Sequence, residues 1–144
     1  MSTGVLVAVD VGTVRVGVAA SDPARVLASP VATLRRDARA GTDLAALAAL
    51  VRDRCAVEVV VGLPRTLAGR EGAAVTMARG YAEQLAPLVA PVPVRLVDER
   101  LTTVLAEQAL RGSGVRGRAR RAVVDQAAAV ALLQGVLDGA RSPR

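Results

Sequence analysis

Val5-Leu6-Val7-Ala8-Val9-Asp10-Val11-Gly12-Thr13-Val14-Arg15-Val16-Gly17-Val18-Ala19-Ala20-Ser21-Asp22 is the stretch that decides the fold of this chain. It reads as a Val-rich strand running into a carboxylate, a short turn carrying Gly12 and Thr13, and a second strand from Val14 to Ala20 coming back. Two β-branched runs split by a glycine turn make an antiparallel hairpin. An ionised Asp at the mouth of an apolar run is unfavourable unless a cation or a donor stands beside it. Asp10 is therefore the first candidate functional residue. The competing reading is an acid that only anchors the turn by accepting from the N–H groups after it.

Outward from the hairpin, Asp22-Pro23 marks a second turn and Val31 to Leu34 a third strand. Gly41-Thr42-Asp43 starts a helix, with Thr42 or Asp43 as the expected N-cap. Leu44, Leu47, Leu50 and Val51 follow at helical spacing, and the helix should end near Cys55. Val57 to Val61 is a short apolar strand, expected to lie buried and parallel to the first. A loop from Gly62 to Gly72 leads to a helix from about Ala73 to Leu88, closed off by Pro91 and Pro93. Val94 to Val97 is the next strand, stopping at Asp98-Glu99-Arg100. Thr102 or Thr103 caps a short helix through Leu110, and a mobile basic loop over residues 111–121 merges into a final helix to about Asp138. Residues 139–144 should fray, and residues 1–144 form a single domain. A strand meander followed by alternating strands and helices is an α/β fold: a mixed five-stranded sheet, its first three strands antiparallel and the rest parallel, flanked by helices.

Composition narrows the chemistry. The chain has no His and no Lys, so all 19 basic residues are Arg, and the formal net charge is +6. Without His, imidazole bases, Ser-His triads and His-ligated zinc are excluded. Cys55 is alone, which rules out an internal disulfide and leaves a thiol with no base to activate it. No run is long and apolar enough to cross a bilayer, which makes a cytoplasmic protein the expectation. The basic balance points to a polyanionic partner, nucleic acid first. Tyr81 is the sole aromatic, so phosphates and shape suit this chain better than stacked bases.

In α/β sheets function gathers at the carboxyl ends of the parallel strands. Asp10, the Gly62 loop and Asp98-Glu99 each follow a strand and so converge on one edge. Carboxylates without His or Cys form a site for a hard cation, Mg²⁺ or Mn²⁺, which accepts oxygen ligands and keeps waters. Asp98 and Glu99 are neighbours and should point to opposite faces, so only one joins Asp10, and the longer Glu99 is chosen. Asp125 lies in the apolar last helix, whose Val124, Ala128 and Leu132 are expected to press on the sheet. It either reaches the same metal or pairs at the surface with Arg121. Metals held this way activate water and stabilise the leaving oxygen in phosphodiester cleavage. Thr13 and Arg15 on the hairpin, Arg65 and Arg70 on the glycine loop, Arg100, and Arg116, Arg118, Arg120 and Arg121 on the basic loop are the candidates for phosphate. The Gly69-x-x-Gly72 turn either admits a phosphate to its amides or simply turns the chain.

Taken together, Asp10 to Asp22, Val61-Gly62-Leu63-Pro64, Gly69-Arg70-Glu71-Gly72, Val97-Asp98-Glu99-Arg100-Leu101-Thr102-Thr103 and Val124-Asp125-Gln126-Ala127-Ala128-Ala129 resemble the YqgF/RuvX family. That family is described as pre-16S rRNA nucleases and Holliday-junction resolvase homologues. The resemblance is collinear from about Val5 to Leu137 and implies an RNase H-like fold with acids at Asp10, Glu99 and Asp125. It implies a metal-dependent nuclease acting on the 5′ end of pre-16S rRNA or on branched DNA, as a monomer or homodimer. A weakly catalytic module on the same fold, holding structured RNA or junctions without fast turnover, is the competing reading. Asp10-x-Gly12-Thr13 also resembles the phosphate loop of actin-like ATPases, but those need two such domains around the nucleotide, and one domain cannot close that cleft.

Overall fold

The computed structural model describes residues 3–64, 72–98 and 117–141, with the side chains of the last helix described from Gln126 to Gly139. Within these residues the chain forms β1 (Leu6–Val11), β2 (Arg15–Ser21), β3 (Ala28–Arg35), α1 (Thr42–Asp53), β4 (Glu58–Leu63), α2 (Ala73–Val89), β5 (Val94–Asp98) and α3 (Gly117–Arg141). The sheet order is β3-β2-β1-β4-β5. β1 pairs antiparallel with β2 and parallel with β4. β2 pairs antiparallel with β3, and β4 pairs parallel with β5. This is the expected mixed sheet, with β1 at its centre.

Alternation along β1 assigns the two faces. Val7 and Val9 pack with Val16, Val18, Val59 and Val61 against Leu47 and Val51 of α1 and Leu85 of α2. Leu6 and Ala8 turn the other way, with Ala19, Ala28 and Val60, under Ala129, Leu132, Leu133 and Leu137 of α3. Three alanines on that second face let a long helix lie close across the strands. Burying side chains of Val and Leu size contributes about 1.5–3 kcal/mol each, so both layers hold the sheet firmly.

Several expectations need correction. Asp10 does not follow β1 but occupies its next-to-last position, opposite Gly17. β3 is twice as long as expected because a bulge between Val18 and Ala19 of β2 lets pairing resume past Pro30. Neither Thr42 nor Asp43 caps α1; the N-cap is Gly41, in the left-handed region at φ 68. The turn before the helix is held by Asp37, which accepts from the Thr42 hydroxyl at 2.7 Å and the Ala40 N–H at 3.1 Å. Those donors hold its carboxyl below the usual range, the Ala40 amide first and the Thr42 hydroxyl second. The sheet-facing stripe of α3 runs through Ala129, Leu132, Leu133 and Leu137 rather than Ala128, which is only half-buried. Finally, the chain is helical from Gly117, so Arg118, Arg120 and Arg121 stand on α3 rather than in a loop. The helix expected up to Leu110 and residues 111–116 lie outside the described residues.

Candidate functional site

Asp10 shares the parity of Leu6 and Ala8, which places it on the α3 face at the carboxyl edge of the sheet. Its row can be read across the strands. Asp10 lies opposite Gly17 on β2, and Gly17 opposite Thr33 on β3. On the other side, Val9 pairs with Val61 of β4, and the next residue of β4, Gly62, pairs with Val97 of β5. Asp10 therefore stands half-buried near the end of β1, opposite a glycine on β2.

Helix α3 is tied to this same row. Gln126 donates from Nε2 to the Thr33 hydroxyl at 2.9 Å, level with Gly17 and Asp10. Further along, Gln134 accepts from the Ala28 N–H at 2.9 Å and donates to the Val26 carbonyl at 3.0 Å. The two glutamines clamp the helix to β3 at both ends of the strand, so its rotation is fixed by polar bonds as well as by leucines.

The turn that follows Asp10 is held from three sides. The Gly12 N–H donates to the Arg15 carbonyl at 2.8 Å, and a Cβ on Gly12 would stand 2.8 Å from that oxygen, so only glycine fits. Arg36, just past β3, donates its backbone N–H to the Val14 carbonyl at 2.8 Å and its Nη1 to the Gly12 carbonyl at 2.9 Å. Its Nε lies 3.8 Å from Oδ2 of buried Asp43, and its guanidinium stands 5.2 Å from the Tyr81 ring centre. Tyr81 donates its hydroxyl to the same Asp43 oxygen at 3.0 Å, while the Asp37 N–H donates to Oδ1 at 3.2 Å. Burial, then the Asp43 charge, push the Tyr81 hydroxyl well above its usual value of 10.0, so it stays a donor. α1, α2 and the Gly12 turn thus meet through one buried ionic cluster. Sequence reading missed Arg36 and Asp43: the signal was an Asp inside an apolar helix start, mistaken for a cap.

The expected site residues are accounted for unevenly. Asp10 lies as described, Thr13 is exposed in the turn, and Arg15 opens β2 half-buried. Asp98 ends β5 exposed, on the parity of Val94 and Leu96, which pack toward α2; Val97 packs toward α3. Asp98 therefore belongs to the face away from Asp10. Glu99, Arg65, Arg70, Arg100 and Arg116 lie outside the described residues, as do the side chains of Asp125, Arg118, Arg120 and Arg121. Among the described residues no three acids or thiols gather as a metal cage. Cys55 is exposed at the opposite, amino edge of β4, and no helix of the described residues is long and apolar enough to cross a membrane.

Comparison with known proteins bears on this edge. A family profile described as "RuvX: Holliday junction resolvase" matches residues 4–139. A protein of Frankia casuarinae named "Putative pre-16S rRNA nuclease" is 62% identical over 137 residues, 95% of this chain and 68% of that protein. A Mycolicibacterium paratuberculosis protein of the same name is 61% identical over 134 residues, covering 93% of this chain and 80% of its own. Among solved structures, that of Thermus thermophilus RuvC superposes with a TM-score of 0.57 at 17% identity, over 94% of this chain and 95% of that one. RuvC in complex with a Holliday junction substrate gives 0.56 at 15% identity, over 94% of each chain. These likenesses show that the mixed sheet with its flanking helices is the RNase H-like fold of RuvC.

Proposed function

The chain belongs to the RuvX family of Holliday junction resolvases, and from that premise we propose a divalent-metal-dependent nuclease that hydrolyses phosphodiester bonds at the 5′ end of precursor 16S rRNA. The observation that carries this reading is Asp10, a carboxylate opposite Gly17 at the carboxyl edge of a sheet, on the face covered by α3. The names of the two actinobacterial relatives supply the substrate.

The donor set suits Mg²⁺ or Mn²⁺. The chain has no His, and its single thiol lies at the far edge of the sheet, so oxygen donors are what the Asp10 neighbourhood can offer. Hard cations take one or two carboxylates and keep several waters, so a few acids at one sheet edge are compatible with them. Asp10, Glu99 and Asp125 are the residues proposed to hold the ion. Glu99 follows β5 in the sequence and Asp125 lies in the helix that covers the Asp10 face, and the resemblance to the family points to the same trio. When bound, such an ion lowers the pKa of water and offsets charge on the leaving oxygen.

The chain's own groups do the rest. β1, paired on both sides, fixes the Asp10 backbone; the Gly12 turn, pinned by Arg36, keeps Thr13 and Arg15 beside it. Arg15 and Thr13 orient phosphates flanking the reacting one, and Arg65, Arg70, Arg100, Arg116, Arg118, Arg120 and Arg121 extend that basic surface. Branched DNA is the second substrate to test, because the fold is that of RuvC.

The test is cleavage of a precursor-16S rRNA fragment and a four-way DNA junction by wild type and Asp10→Asn, with Mg²⁺ and with Mn²⁺. Wild type should cut the rRNA end, and the variant should lose at least a hundredfold in rate while still binding. Full activity in a rigorously purified Asp10→Asn preparation would remove Asp10 from catalysis.

A further inference from the structure

Arg36 is the first residue past β3. β1 and β3 are both antiparallel to β2, so Arg36 leaves the sheet at the edge where β1 ends. The register of β1 with β4 runs to Val9 and that with β2 to Val11, so beyond Val11 the chain depends on what holds the Gly12 turn. Arg36 holds it twice, by its backbone N–H at the Val14 carbonyl and by Nη1 at the Gly12 carbonyl. The same guanidinium faces Asp43 of α1 and the Tyr81 ring of α2, and its side chain is only 21% exposed. α1 and α2 cover the Val7 and Val9 face of the sheet, whereas Asp10 lies on the face under α3. Arg36 therefore ties the layer opposite the site to a turn that begins two residues after the Asp10 carboxylate. A largely buried ion pair adds little net stability over apolar side chains of the same volume, because desolvation offsets the attraction. What a guanidinium adds is direction: its planar fork meets a carbonyl and a carboxylate at fixed angles, where an apolar chain only fills space.

We propose that Arg36 is a positioning residue of the cleavage reaction. Anchored by Asp43, it sets the Gly12 turn, and through the turn it sets the end of β1 that carries Asp10 and the place of Thr13 beside it. Asp43 is itself held by the Tyr81 hydroxyl and the Asp37 N–H, so the anchor does not shift with solvent. Arg36 touches no reacting atom in this role; it acts through the backbone of the turn. The proposal rests on the nuclease reading for the identity of the site, and the assignment of Arg36 and Asp43 to its geometry is new.

The experiment compares Arg36→Met, Arg36→Lys and Asp43→Asn with Val51→Ala, which opens a small cavity in the core at the other end of α1 and controls for lost stability. Hydrogen exchange of the amides from Val11 to Arg15 is read without substrate. Cleavage of a precursor-16S rRNA fragment with Mg²⁺ is read at a temperature where melts show every variant folded. Arg36→Met should exchange faster across the turn and lose about tenfold to a hundredfold in kcat, as a small misplacement of reacting groups does. KM should stay within about twofold, because no substrate contact is removed. Arg36→Lys keeps the charge without the fork and should recover part of kcat, while Asp43→Asn should lose part of it. Val51→Ala should match wild type in both readouts. Unchanged exchange in Arg36→Met overturns the hold on the turn, and faster exchange with wild-type kcat overturns its bearing on the reaction. A rise in KM at constant kcat overturns the positioning role and makes Arg36 a substrate contact. An equal loss of kcat in Val51→Ala reduces the effect to stability and overturns it too. Wild type that cuts no rRNA counts against the nuclease reading and takes the catalytic role of Arg36 with it, while the exchange readout still tests the hold on the turn.

Discussion

Asp43 shows how one side chain can be structural and still serve the site. Its carboxylate is buried at 4% exposure, and it accepts from Tyr81 and the Asp37 amide while facing the Arg36 guanidinium that holds the Gly12 carbonyl. Tyr81→Phe removes one donor from a buried charge, and a hydrogen bond to a charged group contributes about 1.5–3 kcal/mol. Urea unfolding of the variant should therefore show about 2 kcal/mol less stability at neutral pH. The sign of the pH dependence follows from the raised hydroxyl. A folded pKa above the unfolded 10.0 stabilises fully below 10.0 and is lost as pH rises past it. Wild type and Tyr81→Phe should accordingly converge in stability above that pH. A gap that persists there would mean that the ring, and not its hydroxyl, carries the effect.

At the scale of elements, α3 decides the geometry of the site. A long helix packed through apolar side chains such as Ala129, Leu132, Leu133 and Leu137 could rotate slightly over a face of small residues, because alanines offer shallow grooves. The Gln126–Thr33 bond removes that freedom at the height of the Asp10 row. Gln126→Ala should lower stability by about 1 kcal/mol, the net worth of one neutral hydrogen bond. Cleavage should fall by more than this loss of folded protein explains, with kcat reduced and KM for nucleic acid little changed. A proportionate fall in both would reduce Gln126 to a packing residue. The sequence showed an amphipathic helix bearing Asp125; it did not show which of Ala128 and Ala129 faces the sheet, because a helix so rich in alanine has little contrast between its sides.

For the whole molecule, a ligand that binds only the folded chain raises its melting temperature by mass action. Mg²⁺ or Mn²⁺ at about one hundred times its dissociation constant stabilises by about 2.7 kcal/mol. Thermal melts should therefore rise by several degrees with added metal in wild type and not in Asp10→Asn, with Ca²⁺ as a further arm. Equal shifts in both proteins would place the cation elsewhere. The net charge of +6 gives the same molecule a general attraction to polyanions, which is why the salt slope, and not affinity alone, separates individual contacts.

The amino-acid sequence by itself determined the strand–turn–strand around Asp10, the parallel pairing of β4, the absence of imidazole chemistry and the family. Each of these is local: Val runs favour strands, glycine permits the tight turn, and missing residue types remove reactions outright. It did not determine that Asp10 lies inside β1 opposite Gly17, that Asp98 faces away, that Gly41 rather than Thr42 is the N-cap of α1, or that Arg36, just past β3, holds the Gly12 turn. Those follow from register, and register couples residues far apart in the chain through two-residue alternation. A shift of one position would have moved every one of these side chains to the other face, so only the paired and packed sheet could decide them.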